Sequence, residues 1–145
     1  MEKEKNVIAT LQELLAGRNA DFDASKSIKI VRHADSRKDL PIEGKTYRTT
    51  LLDLYRYDKD MFMRYQNEQL KGTFDKTDYI VVCVGTQNTK ARFVAVYKVG
   101  EIVPSPYDSR CCLLNLQEVD DFRFLADRVT IEWGKATCLL YTSDA

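Results

Sequence analysis

Apolar residues recur along this chain with two different periods, and the change from one to the other divides it. Near the start, Val7, Ile8, Leu11, Leu14 and Leu15 fall on one helical stripe. The spacing predicts a helix there, with Gly17 placed to end it. Ser27 to Arg32 predicts a short strand, with Ile28 and Ile30 on one face and Lys29 on the other. Residues 34 to 49 are polar and include Pro41 and Gly44, so the pattern predicts a loop. From Thr50 to Leu70 the helical period returns, in one or two pieces. Leu51, Leu52, Leu54 and Tyr55 form a first apolar cluster, and Met61, Phe62 and Tyr65 a second. Asp58 or Asp60 is suited to cap a second helix, and Gly72 to mark its end.

The second half has the period of a sheet. Tyr79 to Val84 is a continuous apolar, β-rich run, the pattern of a strand covered on both faces. A polar turn follows at Gly85 to Thr89. Ala91, Phe93, Ala95, Tyr97 and Val99 then alternate with Arg92, Val94, Val96 and Lys98, which predicts a hairpin of two long strands. Cys112 to Leu116 is a weaker strand candidate. Arg128 to Trp133 is a stronger one, with Val129, Ile131 and Trp133 on one face and Gly134 closing it. Helices first and a mostly antiparallel sheet afterwards predict an α+β fold, with N-terminal and flanking helices and a sheet that curls into a small, partly closed barrel.

Size and composition narrow the class without naming a chemistry. A chain of 145 residues with 44% hydrophobic residues is long enough for one domain with a real core. No run of apolar residues reaches the roughly 18 of a membrane span. The charged start, Met1 to Lys5, lacks the apolar core of a secretion signal, so the expected location is cytoplasmic and no membrane partner is expected. The four cysteines show no CxxC spacing and read as free thiols. Net charge is zero but unevenly spread. Residues 1 to 100 carry 18 Lys+Arg against 14 Asp+Glu, and residues 101 to 145 carry 4 against 8. A uniformly basic nucleic-acid binder is excluded, whereas a local basic face is not.

No catalytic constellation assembles from the residue types present. There is one histidine, His33, and no nucleophile elbow, P-loop or Rossmann glycine pattern. The candidates are binding residues. Arg32 and His33 stand at a strand exit, where side chains reach a ligand surface or simply stay solvated. Lys29, Arg37, Lys38, Lys45 and Arg48 give the following segment a positive potential suited to phosphate contacts. Gln66 and Gln69 share a helix face, where amides either read base edges or solvate the helix. Trp133 is either a core anchor or a wall that stacks an extruded base.

Several segments together resemble the N-terminal domain of bacterial GIY-YIG nuclease family proteins. They are Ile30 to His33, Tyr65 to Gln69, Asp78 to Val81, Ala91 to Val99, and Arg128 through Trp133-Gly134-Lys135-Ala136-Thr137. The resemblance stops after Thr137. Cys138 to Ala145 resembles instead the in-frame translation of a transposon-end adapter used to build sequencing libraries. The expectation is therefore a natural domain over residues 1–137 and an adapter-derived tail over 138–145 that adds nothing to folding. The hairpin followed by Trp-Gly also resembles PUA-like barrels, including the EVE and SRA groups.

These resemblances imply a DNA-recognition or target-positioning module for a GIY-YIG endonuclease whose catalytic domain lies beyond residue 137. The implied partners are double-stranded DNA, unmodified or base-modified, and a covalently linked nuclease domain. This stretch is then not itself an enzyme and holds no cofactor, because the divalent metal belongs to the nuclease domain. The DNA-binding candidates are Arg32, His33, Arg37, Lys38, Gln66, Gln69 and Trp133. The alternative is a protein-interaction or dimerisation module of a nuclease assembly.

Overall fold

The computed structural model describes residues 7–9, 27–87, 90–132 and 141–144. It is a mixed α+β fold, mostly sheet, with two α-helices among the described residues. The strands are β1 (Val7–Ala9), β2 (Ile28–Ala34), β3 (Lys38–Ile42), β4 (Lys45–Thr49), β5 (Glu68–Leu70), β6 (Tyr79–Gln87), β7 (Lys90–Lys98), β8 (Val103–Pro104), β9 (Cys111–Leu113), β10 (Gln117–Glu118), β11 (Val129–Glu132) and β12 (Tyr141–Asp144). The helices are α1 (Leu51–Tyr57) and α2 (Lys59–Asn67), and a 3₁₀ turn spans Asp120–Leu125. No helix among the described residues is long and apolar enough to cross a membrane.

The main sheet has the order β1-β11-β7-β6-β2-β12, with β10 added alongside β7. It is open, not the partly closed barrel expected from the sequence. β1 and β12 are its two edges and do not pair with each other. It is also mixed where a mostly antiparallel sheet was expected. β6–β7, β7–β11 and β7–β10 are antiparallel, whereas β1–β11, β2–β6 and β2–β12 are parallel. The physical reason is the long crossover from β2 to β6. Parallel neighbours need a crossover connection, and here that connection carries β3, β4, both helices and β5. The hairpin β3–β4 and the set β5–β9–β8 form separate small antiparallel sheets instead of extending the main one around to closure.

The β6–β7 hairpin agrees with its apolar pattern, and every residue from Tyr79 to Val84 is buried. One irregularity alters the faces. The register shifts between Val82 and Cys83, pairing Val82 with Ala95 but Cys83 with Phe93. This bulge changes which layer successive side chains join. Phe93 packs in one layer with Ile28, Ile30, Val81, Cys83, Phe122 and Ile131. Val94, Ala95 and Tyr97 pack in the other, beneath the helices.

The helices end where side chains satisfy their backbone. Thr50 Oγ1 accepts from Asp53 N at 3.1 Å and caps α1. Asp58 Oδ1 accepts from Met61 N at 3.1 Å and caps α2, one of the two caps the sequence offered. The second helix ends at Asn67, short of Gly72, because residues 68–70 leave the helix to pair with β9 as β5.

The segment 34–49, read as a loop, is largely a hairpin. Leu40 and Ile42 are buried and alternate with exposed Asp39 and Pro41. The strands join through Glu43 and Gly44 at φ 50° and 84°, a two-residue turn with both central residues left-handed. Pro41 is tolerated because β3 has a partner on one side only.

At the N-terminus, Val7–Ala9 pairs parallel with Val129–Ile131, so this part of the expected helix is a strand. The rest of that helix lies outside the described residues. At the other end, residues 141–144 pair parallel with Lys29–Arg32. A four-residue terminal edge strand is near break-even. Each hydrogen bond contributes about 0.5–1.5 kcal/mol net, against an ordering cost of about 1–2 kcal/mol per residue. Deleting residues 138–145 is therefore expected to leave the Tm unchanged within error. A fall of several degrees in a melting experiment would show that β12 is structural.

Candidate functional site

Adjacent residues of a strand face opposite sides of the sheet, and this separates the first two candidates. His33 lies on the helix side, fully buried, on the same face as Val31. Arg32 lies on the other side. Its guanidinium rests on Gly85, where an added Cβ would come within 2.6 Å of it, and its Nη2 donates to the Lys90 carbonyl at 3.2 Å. Arg32 is thus a packing residue of the far layer and does not reach the His33 site.

The structure brings His33 to Gln66. His33 Nε2–H donates to Gln66 Oε1 at 2.9 Å, and Gln66 is 1% exposed. The Gln66 side chain is thus directed inward and does not share the outer helix face expected for it. Gln69 turns back instead, donating from Nε2 to the Gln66 carbonyl at 2.6 Å. The ring of Tyr65 lies 5.8 Å from that of His33, inclined at 55°.

His33, Tyr65 and Gln69 line one cleft of about 290 Å³, together with Pro41, Gly44, Glu68, Leu70, Tyr107, Asp108 and Cys111. Three elements converge to form it. The end of α2 and β5 supply Tyr65, Glu68, Gln69 and Leu70. The turn of β3–β4 supplies Pro41 and Gly44, and a Cβ at Gly44 would sit 3.8 Å from Tyr107 Cδ1. Arg64 holds that turn against α2, reaching Glu43 at 3.9 Å and Asp60 at 3.2 Å. The segment before β9 supplies Tyr107 and Asp108, and β9 begins with Cys111.

Neighbouring groups set the charge state of several side chains in the cleft. Burial raises the Cys111 thiol, with Asp108 and Glu68 adding to the effect, so it stays protonated and weakly nucleophilic. Burial also raises the Tyr65 phenol. Hydrogen bonds from the Arg110 side chain and backbone hold Asp108 down at about 2, so it is ionised and anchored. Glu68 accepts from Ser105 Oγ at 2.6 Å. Glu68, the Arg110-bound Asp108, the buried His33 imidazole and two tyrosines thus meet at one cleft.

Of the remaining candidates, Arg37 is exposed and precedes β3, and half-buried Lys38 begins it. They belong to the hairpin that walls the cleft, but they do not line the cleft itself. Trp133 lies outside the described residues. Glu68, Tyr107, Asp108 and Cys111 were not singled out from the sequence. Asp108 and Tyr107 sit in a Pro-interrupted segment without periodicity, and only the structure shows that it folds back to β5.

The His33–Gln66 bond has a measurable signature. Gln66→Leu leaves a buried imidazole N–H without its acceptor, a loss of about 1–3 kcal/mol. Removing the Gln66 amide nitrogen, which is buried and has no hydrogen-bond partner among the described residues, offsets part of this. His33→Leu/Gln66→Leu is expected to be at least about 1 kcal/mol more stable than the two single effects added together. Additive effects in denaturant unfolding would show that the bond contributes nothing. No protein-family model matches this chain, and neither a curated protein nor a solved structure does.

Proposed function

We propose that this chain is a DNA-recognition module, related to the N-terminal domain of GIY-YIG nuclease family proteins and to PUA-like base readers. In this reading it positions a nuclease domain and does not itself cleave. The observation that carries the reading is the β3–β4 hairpin. One element walls the His33 cleft, through Pro41 and Gly44, carries Lys38 and Lys45, and is preceded directly by Arg37. None of these three forms an ion pair among the described residues, whereas Arg48 is matched to Asp39 at 3.3 Å.

Phosphate contacts from such a hairpin set position, and base contacts set preference. The cleft supplies the second part. The Glu68 carboxylate repels phosphate but accepts from a base amino group, as acidic side chains accept from cytosine N4, whereas both Asp108 oxygens are taken by Arg110. Tyr65 and Tyr107 offer faces for an extruded base. With Arg32 on the far side of the sheet and Gln66 buried behind the cleft, the reading rests on Arg37, Lys38, Gln69 and the cleft over His33.

Fluorescence anisotropy with labelled duplexes, unmodified and cytosine-modified, tests it at two salt concentrations. Binding is expected at low salt and weakens as salt rises. With magnesium added, the duplex is expected to remain intact. A folded protein that binds no duplex at low salt would turn the assignment to a protein-interaction module. The exposed Leu70 and Tyr107 at the cleft rim would then be the surface to examine.

A further inference from the structure

A second cleft opens at the other end of α2. It is lined by Tyr55, Arg56, Lys59, Arg123, Ala126, Asp127 and Arg128, with a volume of about 410 Å³. Four cations line it with the Asp127 carboxylate, and two of them, Arg56 and Arg123, are ion-paired. That carboxylate is largely spent. Asp127 takes both oxygens to Arg56, at 2.7 and 3.1 Å, and is 3.4 Å from Arg92 Nε. Two of these cations are held by carboxylates. Arg56 is locked by its two bonds to Asp127. Arg123 is held between Glu118 at 3.1 Å and Asp120 at 2.9 Å. The Lys59 ammonium lies 4.6 Å over the Tyr55 ring and forms no ion pair among the described residues. The wall behind it is a neutral phenol, since burial, Glu118 and Asp127 push Tyr55 up to about 12.

We infer that this cleft holds a phosphate of the nucleic-acid backbone, a second contact apart from the β3–β4 hairpin. The inference rests on the DNA-recognition reading and extends it. Guanidinium and ammonium groups fixed by neighbours lose little freedom on binding phosphate. A wide, polar, open cleft also suits a solvated phosphodiester better than an apolar ligand.

The test pairs two charge reversals. Lys59→Glu/Arg128→Glu is expected to weaken duplex binding about tenfold and to flatten its dependence on salt, with Lys59→Glu alone giving part of the effect. Circular dichroism and Tm establish that the variants are folded. Backbone NMR of the wild type is expected to show the Lys59 and Arg123 amides shifting with duplex. If Arg37→Glu/Lys38→Glu weakens binding while Lys59→Glu/Arg128→Glu does not, this inference is overturned and the DNA-recognition reading stands. If the wild type binds no duplex at low salt, both are overturned. Amide shifts with pyrophosphate but none with duplex would keep a phosphate site and overturn its nucleic-acid source.

Discussion

Phe93→Ala is expected to cost about 3–5 kcal/mol, the range for removing a fully buried phenylalanine. Phe93 is 0% exposed on β7, which is paired with β6 on one side and β11 on the other. Its ring meets Phe122 edge to face, with centroids 6.4 Å apart, so the substitution also strips a partner from the 3₁₀ turn. The strand cannot collapse into the void, because both of its edges are held by hydrogen bonds. For a domain of this size the loss corresponds to a fall in Tm on the order of 10 °C. Tyr57→Ala, at a residue 83% exposed, is the matched control and should stay within about 0.5 kcal/mol of wild type. A Phe93→Ala cost below 1 kcal/mol in urea unfolding would mean that this layer is not packed as described.

Arg37→Glu/Lys38→Glu is expected to produce the largest effect on binding. If both side chains contact phosphate, two attractions are replaced by two repulsions. Each contact removed lowers the slope of log K against log salt by about 0.9. Affinity should fall by at least an order of magnitude at low salt, and by the same factor for every duplex, because phosphate contacts carry no sequence information. Isothermal titration or anisotropy at two salt concentrations measures both quantities. An unchanged slope would remove the hairpin from the interface. A loss confined to one base composition would move these residues from the backbone to the base edges.

The parts of the fold that were legible in the sequence are those where a single period dominates. The β6 run is apolar throughout because both of its faces are covered, and α2 announces its start through Asp58. The β3–β4 hairpin was hidden for a physical reason. Its apolar face is only Leu40, Ile42 and Tyr47, its turn uses Glu-Gly instead of Asn-Gly, and β4 is otherwise polar from Lys45 to Thr49. The bulge between β6 and β7 leaves no trace in an alternating pattern, yet it sends Phe93 and Ala95 to different layers. The candidate site was half legible. His33, Gln66 and Gln69 do meet, across more than thirty residues of sequence. Arg32 and His33 are neighbours in the chain, but strand geometry sends them to opposite sides of the sheet.

The crossover between the parallel strands β2 and β6 bears on how this protein can vary. Seven successive residue pairs, from Ile28 with Tyr79 to Ala34 with Gly85, fix those strands side by side. Everything between them leaves the sheet at one end and returns at the other. That excursion carries the cationic hairpin, α1 with Arg56, α2 with Lys59, Tyr65 and Gln66, and the rim residue Gln69. It behaves as a cassette mounted on a frame. Cleft-lining residues can be exchanged, or the hairpin lengthened at its turn, while Leu40, Ile42, Leu51 and Phe62 keep the cassette seated on the sheet. Under the proposed DNA-recognition reading, preference for a new target can then be altered within this excursion without renegotiating the register of the strands beneath it.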